Sequence, residues 1–196
     1  MSSVEIRPVT GIAVEPWLDE LAKLRIEVFR DFPYLYEGDL AYERRYLDRY
    51  AQSDQSVFVL ALEFNKLVGA ATGLPLREAD DEFQAPFRQL GAEINTVFYF
   101  GESVLKKEWR GQGIGHRFFD LREQYAEDFG YRHTAFCAVQ RPEDHPARPE
   151  GYQPLDLFWR GRGYFPQNQL VAHFDWTDIG EAALSRKPMQ FWLHSL

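Results

Sequence analysis

The chain opens with a short alternating stretch, VEIRPVTG, that predicts a first strand ended at Thr10-Gly11. PWLDELAKLRIEVFRDF then sets Trp17, Leu21, Leu24 and Val28 on one helical face, with Pro16 suited to a first turn. GDLAYERRYLDRYAQS predicts a second helix, capped by Asp39, with Tyr46, Leu47 and Tyr50 facing inward. SVFVLALEF and KLVGAATGLPL read as two strands joined by a tight turn around Asn65-Lys66. READDEFQAPFRQLGAE is polar and interrupted by Pro86, and is expected to be a partly helical excursion.

NTVFYFGESVL is rich in aromatic and β-branched residues and predicts the next strand. It runs into EWRGQGIGHRFF, behind which Phe118, Leu121, Arg122, Tyr125 and Phe129 mark a helix closed by Gly130. YRHTAFCAV predicts a further strand, and QRPEDHPARPEGYQP holds four of the eleven prolines with no periodicity. A short helix LDLFWRGRG, a strand QLVAHFDW, a helical turn near DIGEAALS and a strand PMQFWLHSL complete the order. No repeat or linker divides it, so one mixed α/β domain over residues 1–196 is expected.

Composition narrows the functions this order can serve. A net charge of -8 speaks against general nucleic-acid binding, which needs basic surface. The one cysteine, Cys137, allows no intrachain disulfide and fits a reducing compartment. MSSVEIRPVTG lacks the apolar core of a signal peptide, and no apolar run reaches the length of a membrane span. These features lead to the expectation of a cytoplasmic protein that needs no membrane.

Gly111, Gly113 and Gly115 stand between a predicted strand and a predicted helix. Glycine there permits unusual backbone angles or the close approach of another group. Free N–H groups at a helix start, backed by the helix dipole, suit a phosphate, and Arg110, Lys106 and Lys107 add positive charge. Glycines alone would serve equally for a tightly packed turn. Two phosphate motifs fail on the letters. A Walker loop needs Lys-Ser/Thr after its last glycine, where His116-Arg117 follows Gly115. A dinucleotide fingerprint needs G-x-G-x-x-G, where the chain has G-Q-G-I-G-H.

The pattern that remains, R-x-x-G-x-G from Arg110 to Gly115, resembles the acyl-coenzyme A signature of the GNAT superfamily of N-acetyltransferases. The order of strand, two helices, hairpin, signature strand, helix, strand, helix and two closing strands is similar to that family over almost the whole chain. The resemblance implies a mixed, largely antiparallel sheet flanked by helices, with acetyl-CoA as cosubstrate. It implies that backbone N–H groups of Gln112, Gly113, Ile114 and Gly115, flanked by Gly111 and His116, hold the pyrophosphate. Arg110 belongs to the same signature. The backbone of Val104, Leu105 and Lys106 would meet the pantetheine arm where the signature strand splays from its neighbour. The family's frequent acid, a tyrosine before a short helix, is replaced here by Trp159, whose indole is no acid near neutral pH. Tyr152 and Tyr164 are the substitutes at hand.

Transfer to an amine needs a neutral nitrogen, and so a base. Glu102 is the candidate. Strict alternation puts it on one face with Phe100 and Val104, opposite Tyr99, Ser103 and Leu105. A carboxylate there serves either as base or as partner to an arginine from another element. Cys137 and His133 share a strand face, but their backbones stand about 13 Å apart, too far for a dyad. Asp144-His145 lacks a second His or Cys at metal-ligand spacing, so no metal is expected. Phe32, Tyr34 and Tyr36 line an acceptor cleft or fill core. In the proline-rich excursion Arg141 and Arg148 can clamp a carboxylate, or Glu143, Asp144 and Glu150 can draw an amine.

The expected activity is direct acyl transfer from acetyl-CoA to a small amine in a ternary complex. The alternative is a sensor that binds acyl-CoA without turnover. PMQFWLHSL is a candidate edge for pairing with a second copy in a homodimer.

Overall fold

The computed structural model describes residues 4–196, and the first three residues of MSSVEIRPVTG lie outside them. The strands are β1 (Glu5–Thr10), β2 (Val57–Glu63), β3 (Lys66–Pro75), β4 (Val97–Leu105), β5 (His133–Val139), β6 (Phe165–Trp176) and β7 (Ser185–Ser195). The helices are α1 (Leu18–Phe29), α2 (Leu40–Gln52), α3 (Asp81–Gln89), α4 (Ile114–Asp128) and α5 (Asp156–Gly161). One seven-stranded sheet runs β1-β2-β3-β4-β5-β7-β6. Every neighbouring pair is antiparallel except β4 with β5.

Local chemistry explains the early elements. Pro16 belongs to a 3-10 turn, Gly11–Trp17, that leads into α1, and Leu18, Leu21, Ala22 and Leu24 bury the helix face behind it. The Asp39 carboxylate accepts from Tyr42 N–H at 2.7 Å and caps α2, as its sequence predicts. Phe64 and Asn65, at φ 46° and 59°, form the two-residue β2–β3 turn, whose left-handed angles match strand twist.

Each sheet face carries its own core. α1, α2 and α3 cover a cluster that includes Leu21, Leu47, Leu60, Tyr99 and Val104. Phe98, Phe100, Phe118 and Tyr164 belong to the cluster on the opposite face, beneath α4 and α5. Each fully buried Leu or Phe among these contributes roughly 1.5–3 kcal/mol.

Three expectations are corrected. DIGEAALS forms no helix: Asp178 makes a bridge to Tyr36 and the chain turns directly into β7. β7 is no edge, because β5 and β6 pair with its two sides. The faces of β4 also change partway along. Between Ala71 and Gly73 the register moves two residues on β3 against three on β4, from Ser103 to Phe100. That extra residue is a bulge, and it reverses the alternation beyond it. Glu102 and Val104 therefore join Tyr99 on the α1–α2 face, while Ser103 and Leu105 join Phe100 on the α4 face.

Candidate functional site

β4 and β5 are paired only from Val97, Phe98 and Tyr99 to His133, Thr134 and Ala135. Beyond that point they separate, and a cleft of about 1020 Å³ opens between them. Its lips are Phe100–Ser103 with Leu105, and Phe136–Val139; its one end is the glycine loop and its other end is the proline-rich excursion. The splay anticipated at Val104–Lys106 is thus present. Lys106 N–H donates to Val68 C=O at 3.0 Å, so alternation along the ladder leaves Leu105 facing the gap. The Leu105 carbonyl accepts there from Arg110 Nε at 3.1 Å.

The glycine loop is built for approach. Gly111 and Gly113 have φ of 76° and 80°, angles that side chains rarely adopt. Nothing stands within 4 Å of where their Cβ atoms would lie. The glycines therefore leave open space, which a packing turn would have filled. Gly113 is the N-cap of α4, and the first amide of the turn that is used is Arg117 N–H, donated to Gly113 C=O. Among the described residues no backbone or side-chain acceptor takes the N–H groups from Gly111 to His116. Six donors without an acceptor and the start of a helix thus stand at one end of the cleft, where Gly111, Gly113, Gly115 and His116 line it.

The charges expected beside the loop are arranged differently. Lys106 pairs with Glu27 at 3.4 Å and Lys107 with Asp31 at 3.0 Å, tying the loop's approach to α1. His116 lays its ring against Phe158 and accepts from Arg162 Nη1 at 3.2 Å. Its side chain joins α4 to α5, and only its backbone faces the loop.

Glu102 is buried, and its Oε2 lies 2.6 Å from Arg25 Nη1. Arg25 also pairs with buried Glu43 and lies over the rings of Phe29 and Tyr46. One cation thus faces two carboxylates, and neither Glu102 oxygen receives a well-directed hydrogen bond. Burial pushes the Glu102 carboxyl above its ordinary range, against the pull of Arg25. Glu102 is thus the partner of an arginine from another element, and it also lines the cleft.

Arg122, noted in the sequence only as a helix-face position, is buried behind the bulge. It donates to the carbonyls of Phe118, Thr72 and Glu102 and to Ser103 Oγ at 2.8–3.2 Å, with its guanidinium over Phe100. Among the described residues it has no carboxylate partner, and burial lowers it to about 10. Arg25 and Arg122 share one signal that could have revealed them: an arginine on an otherwise apolar helix stripe.

The substitute acids separate. Tyr164 is fully buried, its hydroxyl held by Thr134 Oγ1 at 2.7 Å and Glu123 at 2.9 Å, away from the cleft. Tyr152 lines the cleft, with burial raising its hydroxyl. Trp159 packs on Phe136 and Trp192 at 5.0 Å between centroids. Cys137 is buried beside Tyr99 Oη at 3.3 Å, and burial pushes its thiol up to about 12. His133 turns instead to Ser195, so no dyad exists. Phe32 and Tyr34 line the cleft, whereas Tyr36 is drawn into the bridge to Asp178.

A model of the acetyltransferase (GNAT) family matches residues 19–149. The chain belongs to the GNAT acetyltransferase family. No curated protein sequence matches this GNAT chain. Its fold is similar to that of a ribosomal-protein-alanine N-acetyltransferase from Brucella melitensis, at 16% identity and a TM-score of 0.62, covering 98% of this chain and 99% of that one. It is also similar to an N-acetyltransferase from Staphylococcus aureus Mu50, at 14% identity and a TM-score of 0.58, covering 99% of both chains. A PaiA N-acetyltransferase from Thermoplasma acidophilum, solved in complex with coenzyme A, gives 12% identity and a TM-score of 0.57, covering 99% of both. The GNAT chain shares the mixed, largely antiparallel sheet of these structures. Among its described residues no helix is long and apolar enough to cross a membrane.

Proposed function

We propose that residues 1–196 act as one domain that transfers the acetyl group of acetyl-CoA to the amine of a small acceptor. The observation that carries this reading is the set of free N–H groups from Gly111 to His116, opening onto the β4–β5 gap. The fit to coenzyme A is chemical: a pyrophosphate needs several donors converging on space without side chains, and the loop has both. Bound coenzyme A would supply an activated thioester. Gln112, Gly113, Ile114 and Gly115 would hold its pyrophosphate, with Gly111, His116 and the signature residue Arg110 beside them. The backbone of Val104–Lys106 would guide the pantetheine arm, with Leu105 offering its N–H on the gap edge beside a carbonyl held by Arg110.

Attack is direct. The amine nitrogen forms a bond to the thioester carbon, the carbon–sulfur bond breaks, and the amine proton leaves to a base. The buried thiol of Cys137, held protonated beside Tyr99, makes a poor covalent relay. Glu102 is the proposed proton acceptor. The Arg25–Glu43–Glu102 trio carries a net charge of about -1 in burial, and accepting one proton neutralises it. A second reading is favoured by the same ion pair: Glu102 locks α1 to β4 and takes no proton. No internal acid is required, since a thiolate is a tolerable leaving group.

Thiol release from acetyl-CoA with a panel of amines tests the function. Acceptor-dependent release is expected. Tight coenzyme A binding with no release from any amine would instead mark a non-catalytic acyl-CoA sensor.

A further inference from the structure

The proline-rich segment between β5 and α5 has no helix or strand, yet it is firmly built. His145 N–H, Arg148 N–H and Tyr152 N–H each close a turn three residues back, at 3.2, 2.9 and 3.1 Å. Pro142, Pro146, Pro149 and Pro154 restrict its backbone further. Arg141 anchors its start. That guanidinium donates to Pro33 and Tyr34 carbonyls at 2.8 Å and meets both oxygens of Asp178, at 2.7 and 2.9 Å. Four of the five N–H groups of Arg141 are used in this way, which commits it to the frame of the segment.

Arg148 is different. It lines the same cleft, half-buried, with its guanidinium 5.2 Å from the centroid of Tyr152. Among the described residues it has no carboxylate partner. Tyr152 in turn meets Phe32 edge-on at 4.8 Å, and Phe32 lies 5.6 Å from the His145 ring. The wall thus presents one uncommitted cation above a connected aromatic surface, on a segment whose ordering is complete before any ligand arrives. Glu143 of the same segment also lines the cleft, carries the opposite sign and has no ion pair among the described residues. A single free positive group, with a negative one on the same cleft-lining segment, matches one carboxylate, and disfavours a phosphate or a dicarboxylate.

We infer that the acceptor is an amino carboxylate with an aromatic or apolar body, its carboxylate read by Arg148 and its body laid against Tyr152 and Phe32. This rests on the acetyltransferase reading and adds the substrate class to it. A carboxylate there gains a forked, partly desolvated guanidinium. An acceptor without one leaves that cation facing nothing.

The test uses a panel of amino acids, each paired with its decarboxylated amine, phenylalanine with phenethylamine among them. Thiol release and calorimetry on coenzyme A-saturated protein are read side by side. For at least one apolar or aromatic pair the amino acid should be preferred by about 10–100-fold, in kcat/KM and in affinity. Arg148→Met should erase that preference by weakening the amino acid, with the melting temperature held. Arg148→Lys should restore part of it. Amine preference across the whole panel, or a preference untouched by Arg148→Met, would overturn the inference. Carboxylate-dependent binding without thiol release would sink the transfer reading alone and leave this one standing.

Discussion

The two ends of the cleft are built from different parts of the chain. At the Gly111–His116 end the wall is backbone, kept bare of side chains by left-handed glycines. At the Arg141–Tyr152 end the wall is side chain, held by an arginine paired with Asp178 and by the edge-on rings of Phe32 and Tyr152. Backbone amides read a group that never varies, such as a pyrophosphate, and tolerate most sequence around them. Side chains read a group that differs from one enzyme to the next. A cosubstrate shared across a family and an acceptor private to each member would call for this division.

The largest effect expected is at the backbone end. Gly113→Asp adds a charge where the pyrophosphate would approach. Two like charges about 4 Å apart at an effective dielectric of about 20 repel by about 4 kcal/mol, which weakens coenzyme A roughly 1000-fold. Nothing crowds the added side chain, and the left-handed angle at Gly113 costs an Asp about 1–2 kcal/mol, a strain the fold should survive. Calorimetry showing unchanged affinity in a folded variant would break the contrast at its root.

Glu102→Gln comes next. If Glu102 takes the proton, turnover falls by at least ~100-fold while coenzyme A still binds. A normal pH–rate profile would leave it a purely structural partner. Stability provides a second readout. The carboxyl is raised in the folded state, so wild type should lose stability as pH climbs from the ordinary glutamate value through the raised one. Glu102→Gln leaves Arg25 paired with Glu43 alone, and its melting temperature should stay flat over that window. A parallel decline in both proteins would refute the burial of a charged carboxylate as the cause.

Arg141→Ala sharpens the contrast from the acceptor end. Freed from Asp178, Pro33 and Tyr34, the excursion should lose its set position, raising the acceptor KM by about 10-fold. The KM for acetyl-CoA should not move. Equal changes in both constants would mean that the two walls are not independent. The smallest effect belongs to Cys137→Ala, which should cost about 1 kcal/mol in stability and leave transfer intact. A transfer-competent acetyl adduct on Cys137 would replace direct attack with a relay.

The same contrast explains what could be read in the letters. The glycine loop is legible because its geometry lies within six consecutive residues and in what glycine lacks. The α1, α2 and α4 faces, the β2–β3 turn and the Asp39 cap followed from local periodicity and chemistry. The face of Glu102 did not, because the bulge that turns it exists only when β4 pairs with β3. Lys106 and Lys107 were assigned to the phosphate, yet their partners lie in α1, far off in sequence. Arg141 read as a free clamp for want of Asp178, 37 residues on. β7 read as an edge, since alternation along one strand says nothing about how many neighbours it will have.

That interior place of β7 has a bearing on how the protein is made. β6 joins the sheet through β7 alone, and one side of β5 is open until β7 arrives. While a ribosome is still adding residues before Ser185, the half of the sheet from β1 to β5 can assemble, but β5 shows a bare row of amides and carbonyls. β6 then has no sheet to join. Completion is therefore a late event in synthesis, when β7 slides between two strands made before it and seals both.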